Sequence, residues 1–318
     1  MVDSKNALQL SGEISSNFRY QEVTFIQAIR SAFGFANENA IFSFTGYDLK
    51  YVLFGILMRA FLSRVFVFIY DTHVVALRDK HVFKRVVVDL YFQAGFYIAT
   101  RLNGWVVLNS RFVAQRNIKI PICRIKVGAN YADYSPRHGS TSLPLDILFA
   151  GTLNVENGAH IILECIESYS SLPVRFHVFG DGPLASQFDV LESKNMIYYG
   201  RQPNSEVLDT LRKCSLAIHL REPSSKVNDY AYPSKLIEYI ASGSPVISNI
   251  FPNMGSEVEA VLLDTIEFST TAVVKSLLET SRNIAVLDEP KDLTEFWDQH
   301  SWSNIVRCVS NFYSDPAT

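Results

Sequence analysis

The sequence predicts an α/β protein built from two Rossmann-like halves that face a cleft, and three observations predict it. From residue 39 onward, short runs of β-branched and aromatic residues alternate with amphipathic stretches at helical spacing, the pattern of βαβ units around parallel sheets. A polar stretch carrying Pro136 and Gly139, residues 131–142, separates two such series and reads as a linker. A length of 318 residues leaves room for roughly two domains of ~150 residues, each with its own core. The expected domains are therefore 1–142 and 143–318.

In the first series the expected strands are 40–44, 65–70, 105–108 and 124–127, with helices between them. Residues 51–70 have the apolar length of a bilayer span, but Arg59 and Arg64 interrupt them near the centre. They read as a buried helix followed by a buried strand, with a helix face able to rest on a membrane surface. The longest helix, 82–101, sets Val86, Val87, Leu90, Tyr91, Ala94 and Tyr97 on one stripe, which is expected to dock on the sheet. In the second series the expected strands are 146–150, 174–179, 195–199, 216–220 and 245–249, and the helices are 160–168, 206–213 and 233–241. Two halves of this kind place a cleft at the carboxyl ends of their strands, where open α/β sheets bind ligands.

Composition narrows the function. With 29 Lys+Arg against 32 Asp+Glu, a net charge of -3 argues against a protein that works by neutralising a phosphate backbone, so no nucleic-acid partner is expected. A content of 48% hydrophobic and 19% charged residues belongs to a packed globule rather than a disordered chain. Cys123, Cys165, Cys214 and Cys308 form no C-x-x-C pair, and Met1 to Asn6 lead into polar sequence without a secretory pattern; a reduced, cytoplasmic setting is expected. No H-E-x-x-H, G-x-S-x-G or Walker loop occurs in the sequence. The histidines His81, His138, His160, His177, His219 and His300 are scattered and read as surface or packed residues.

Residues 230–247 carry most of the chemistry. Pro233 at the first helical position, then Gly243 and Pro245, bound a short helix sharply. Its first turn offers unpaired backbone N–H groups and the positive end of the helix dipole, a site suited to phosphate, to which Ser234 and Lys235 add a hydroxyl and an ammonium. Glu238 follows one turn later on the same face, where a carboxylate can accept from both hydroxyls of a ribose. The plainer alternative is an i,i+3 ion pair between Lys235 and Glu238 on an ordinary surface helix. Gly151, Gly180 and Gly200 each stand just past an apolar strand, where a missing Cβ lets backbone approach a ligand.

With Ile147-Leu148-Phe149-Ala150-Gly151, Val178-Phe179-Gly180-Asp181-Gly182-Pro183, Tyr199-Gly200-Arg201, Pro233-Ser234-Lys235-Leu236-Ile237-Glu238-Tyr239 and Gly243-Ser244-Pro245-Val246-Ile247 in this order, the second half resembles the retaining GT-B glycosyltransferases of the family-four, or group 1, type. The resemblance implies the GT-B fold and a UDP- or GDP-sugar donor bound by Gly151, Thr152, Gly180, Arg201, Ser234, Lys235, Leu236 and Glu238. It implies catalytic parts for Lys235 and Glu238, no metal, and no cofactor beyond the nucleotide sugar itself as substrate. Trp302 and Tyr313 resemble the family's final helix, about 301–314, which returns to the first domain. The first half matches more loosely: Tyr70-Asp71-Thr72-His73 ends a strand where the family often has a histidine near the acceptor, which makes His73 a catalytic candidate. Only about 40 residues precede the first strand, without a Gly-rich turn, so the acceptor domain is expected to be abbreviated.

The chain departs from the family's pattern at the donor site. The acidic residue that many relatives carry eight positions before the ribose glutamate is Tyr230 here, and their basic pair after the first glycine strand is Thr152 and Asn157. Lys235 or Arg201 is expected to compensate. The expected function is transfer of a sugar to a glycan or lipid-linked acceptor in surface polysaccharide or glycoconjugate biosynthesis, with a membrane surface or partner protein met through the apolar first domain. The rivals are a non-catalytic partner subunit and a nucleotide-sugar epimerase of the same fold.

Overall fold

The computed structural model describes residues 41–45, 49–59, 64–69, 82–108, 118–130, 142–191, 193–229 and 232–315. Two parallel sheets organise them. The first has the order β1 (Ile41–Thr45), β2 (Arg64–Ile69), β3 (Gly104–Val107), β4 (Ile122–Arg124), with α1 (Leu49–Met58) and α2 (Val82–Ala99) between strands. Within the run 51–70 the described residues are helical through Met58 and form a strand from Arg64 to Ile69. No helix among the described residues is long and apolar enough to cross a membrane.

Alternation along β2 explains the layering. Val65, Val67 and Ile69 face α1 and α2 in one core with Val52, Met58, Ala99 and Trp105, whereas Phe66 faces the other way, with Val106 and Cys123. The expected docking stripe of α2 is overturned. Val86, Val87, Leu90 and Tyr97 are more than half exposed, and Phe92, Gly95, Phe96 and Ala99 turn inward instead. The helix is apolar on both sides, so periodicity could not select a face; the small Gly95 and Ala99 allow close approach, and Phe96 packs edge-on to Trp105 at 5.0 Å. The last strand is also shifted from 124–127 to Ile122–Arg124.

The second sheet has six parallel strands in the order β10-β9-β8-β5-β6-β7. These are β5 (Leu145–Ala150), β6 (Val174–Phe179), β7 (Met196–Gly200), β8 (Leu216–His219), β9 (Val246–Asn249) and β10 (Asp264–Ile266). Helices α3 (Ala159–Ser168) and α8 (Thr270–Arg282) cover one face, and α5 (Asn204–Leu211), α6 (Ser234–Ala241) and α7 (Ser256–Glu259) the other, with α4 (Ala185–Val190) beside β7. The chain winds outward from β5 to β6 and β7, then returns to β8 on the opposite side. The reversal creates a crevice beyond the ends of β5 and β8.

After α9 (Thr294–His300) the chain crosses back to the first sheet as α10 (Trp302–Ser314). Ser301 caps α10 by accepting from the Asn304 N–H, and Ala129 bridges to Ser301 in parallel. Phe66 meets Tyr313 at 4.6 Å and Phe312 at 5.4 Å, and the Arg64 guanidinium donates to the Tyr313 carbonyl at 2.6 Å. Trp302 lies over Gly128, where a Cβ would collide with its ring. Cys123 and Cys308, which the sequence left apart, bring their sulfurs to 3.4 Å. At this crossing Lys126 pairs with Glu257 at 2.9 Å, and His300, fully buried, lies 3.2 Å from the same carboxylate oxygen.

Candidate functional site

A cavity of about 660 Å³ opens at the reversal point. Its floor is backbone. β5 ends in Gly151 at φ 155° and β6 in Gly180 at φ 133°, both left-handed values that favour glycine. At Gly180 a Cβ would overlap the Gly151 carbonyl oxygen, so the two strand ends can lie this close only because Gly180 lacks a side chain.

The start of α6 lines the same cavity. Pro233 precedes the helix at φ -77° rather than occupying its first position, and no side chain caps it, so the first turn keeps uncapped N–H groups where Ser234 and Lys235 line the cavity. Buried Leu236, Ile237 and Ile240 hold the helix to the sheet, and the Tyr239 hydroxyl donates to the Ala150 carbonyl at 3.0 Å, tying α6 to the end of β5. Burial pushes the Tyr239 phenol far above its ordinary value, so it stays a donor.

Of the residues singled out from sequence, Gly151, Thr152, Gly180, Arg201, Ser234 and Lys235 line this cavity together. Leu236 and Glu238 do not line it: the Leu236 side chain is 1% exposed inside the core, and Glu238 accepts from Lys235 at 2.8 Å. The i,i+3 ion pair that was the plainer alternative therefore exists. Lys235 also donates to the Asn204 side chain. Asn157, at the second position of the missing basic pair, donates to the Thr152 carbonyl at 2.9 Å and closes the loop on itself. His73 and Tyr230 lie outside the described residues.

Two wall residues were not singled out for the site. His219, at the end of β8, lies 3.2 Å from the Ser248 hydroxyl, and burial, with the charge of Arg221 adding to it, pushes its pKa down to about 3, so the imidazole is neutral. Arg221 follows two residues later. Its Nε donates to the Asn228 side chain at 2.5 Å, and Asn249 grips its backbone from both sides, accepting from the N–H and donating to the carbonyl at 2.8 Å each. Burial lowers the Arg221 pKa, with Glu156 opposing. Its Nη2 is buried without a hydrogen-bond partner among the described residues. A cation just past an apolar strand at the reversal point was the signal that could have found it.

Among the described residues no group of three or more His, Cys, Asp or Glu is placed to hold a metal ion. The site can place an anion against N–H groups, an ammonium and a guanidinium, above a glycine floor that admits a flat or extended ligand.

Residues 144–275 match the family model for glycosyl transferases group 1. No curated protein matches the chain in sequence. Solved structures share its fold: a sucrose-phosphate synthase from Thermosynechococcus elongatus at 13% identity, covering 91% of this chain and 76% of that one, with a TM-score of 0.62. HepE of Anabaena, solved with UDP, aligns at 12% identity over 90% of this chain and 81% of that one, TM-score 0.60. The pneumococcal O-GlcNAc transferase GtfA, solved with UDP and GlcNAc, aligns at 13% identity over 92% of this chain and 60% of that one, TM-score 0.58.

Proposed function

From a chain that has the GT-B fold and whose residues 144–275 match the family model for glycosyl transferases group 1, we propose a glycosyltransferase that moves a hexosyl group from a UDP- or GDP-sugar to a glycan or lipid-linked acceptor, with retention and without a metal. The observation that carries this reading is the cavity at the reversal point, where the glycine floor and the uncapped α6 N-terminus meet. In the reading, the α6 N–H groups and Ser234 stabilise the departing diphosphate as charge develops on it, and the Oε1 oxygen of Glu238, the one not held by Lys235, accepts from the ribose. Lys235 then acts on the nucleotide partly through Glu238, which it orients. The division at 142/143 and a part for His73 belong to the same proposal.

The acceptor side follows from the first half. Leu53 and Leu57 of α1, and Val86, Val87, Leu90 and Tyr97 of α2, are more than half exposed on two helices that pack together, with Arg59 and Arg101 exposed at their ends. An apolar face with a basic border suits an anionic membrane surface and hence a lipid-linked acceptor in surface polysaccharide or glycoconjugate assembly at the cytoplasmic side.

A donor-consumption assay over UDP- and GDP-sugars tests the activity. Turnover that falls at least 100-fold in Glu238→Ala supports it; no turnover with any donor sinks it. The second reading, a non-catalytic partner subunit, draws on Thr152 and Asn157, which close the β5 loop where relatives have cations. It predicts nucleotide binding without turnover.

A further inference from the structure

We infer that Arg221 is the residue that holds the diphosphate of the donor, taking over from the β5 loop a task that its Thr152 and Asn157 cannot perform. The inference rests on the nucleotide-sugar reading of the cavity and adds to it the residue that meets the phosphate charge.

The cations on the cavity wall are not equivalent. Lys235 is already committed to Glu238 and to Asn204. Arg201 is exposed, at the rim. Arg221 alone of the three is braced from within: Asn228, 1% exposed, takes its Nε, while the Asn228 amide donates to the carbonyls of Glu222 at 2.8 Å and Pro223 at 3.2 Å. Asn249, also 1% exposed, fixes its backbone to the end of β9. Asn228 therefore holds the guanidinium and Asn249 the backbone beneath it, and Nη2 is left without a hydrogen-bond partner among the described residues. No ion pair joins it to a carboxylate among the described residues.

An unsatisfied buried guanidinium nitrogen is costly, and burial depresses its pKa for the same reason. An anionic ligand removes that cost by supplying the acceptor. The planar fork of an arginine suits two phosphate oxygens, and Arg221 lines the same cavity as Ser234 and Lys235 at the start of α6.

The test compares UDP, UMP and uridine, with the guanine series alongside, by calorimetry on the full chain. Arg221→Gln should weaken UDP about 10- to 100-fold while changing uridine less than twofold, and Arg221→Lys should recover part of the loss. Its melting temperature should change little, because removing the unpartnered charge offsets the loss of the bond to Asn228. Unchanged UDP affinity in Arg221→Gln overturns the inference, and so does an equal loss of UDP and uridine, which would mean that Arg221 only shapes the loop. If the unaltered protein binds neither UDP nor GDP, the nucleotide reading itself fails, and the inference with it.

Discussion

The two sheets are held in different ways. Around β5 to β10 the structure is fixed by local backbone geometry: glycines at positive φ, a helix start without a cap, asparagines clamping nearby loops. Around β1 to β4 it depends on distant cover, since the face bearing Phe66 and Val106 is closed by α10, while the outer faces of α1 and α2 stay bare. The first kind of constraint leaves residues in fixed spacing. The second leaves only apolarity, which says that something is covered without saying by what.

The largest effect should come from the second half. Gly180→Ala adds a Cβ at φ 133° against the Gly151 carbonyl, and strain and overlap together should cost more than about 3 kcal/mol in urea unfolding. Nucleotide binding should disappear with it; a mild change would mean that the glycine floor is not tightly fixed. In the first half, Phe66→Ala should cost about 3 kcal/mol by emptying a fully buried site, and hydrogen exchange should rise in β2 and α10 while β5 and β6 stay protected. If all strands lose protection together, the two cores are one cooperative unit.

A smaller effect separates them by pH. His219 is held neutral, down to about 3 against an ordinary 6.5, so the unfolded chain takes up its proton first as pH falls. Its contribution is complete above 6.5 and lost as pH drops towards 3, about 2 kcal/mol by pH 5. His219→Gln should flatten the stability profile across that window, read from melting temperatures between pH 7 and 5. The smallest stability change belongs to the bare face. Leu57→Glu with Leu90→Glu should move folding by no more than about 0.5 kcal/mol each, yet abolish co-sedimentation with phosphatidylglycerol vesicles. Retained vesicle binding would remove the membrane from the proposal.

The same contrast explains what the sequence revealed. The strands and helices of the second half were legible because Gly151, Gly180 and Gly243 punctuate them, and the grouping of Ser234 and Lys235 with the glycine ends followed from that spacing. In α2 both faces are apolar, and the inward side was set by Gly95 and Ala99, whose small size matters only once Trp105 is packed against the helix. Arg221 was hidden for a different reason. Its role comes from Asn228 and Asn249, seven and 28 residues away, and a buried, unpartnered nitrogen has no signature in a linear string.

The returning helix also sets an order of events for a chain emerging from synthesis. Asp146 finds Arg175 at a separation of 29 residues, whereas Arg64 finds Tyr313 at 249. Closing the longer loop costs about 2 kcal/mol more chain entropy, and it cannot begin until α10 has been made. The half that comes first therefore finishes last: β2 waits with Phe66 uncovered while the second sheet assembles. Loss of α10 would leave that ring uncovered.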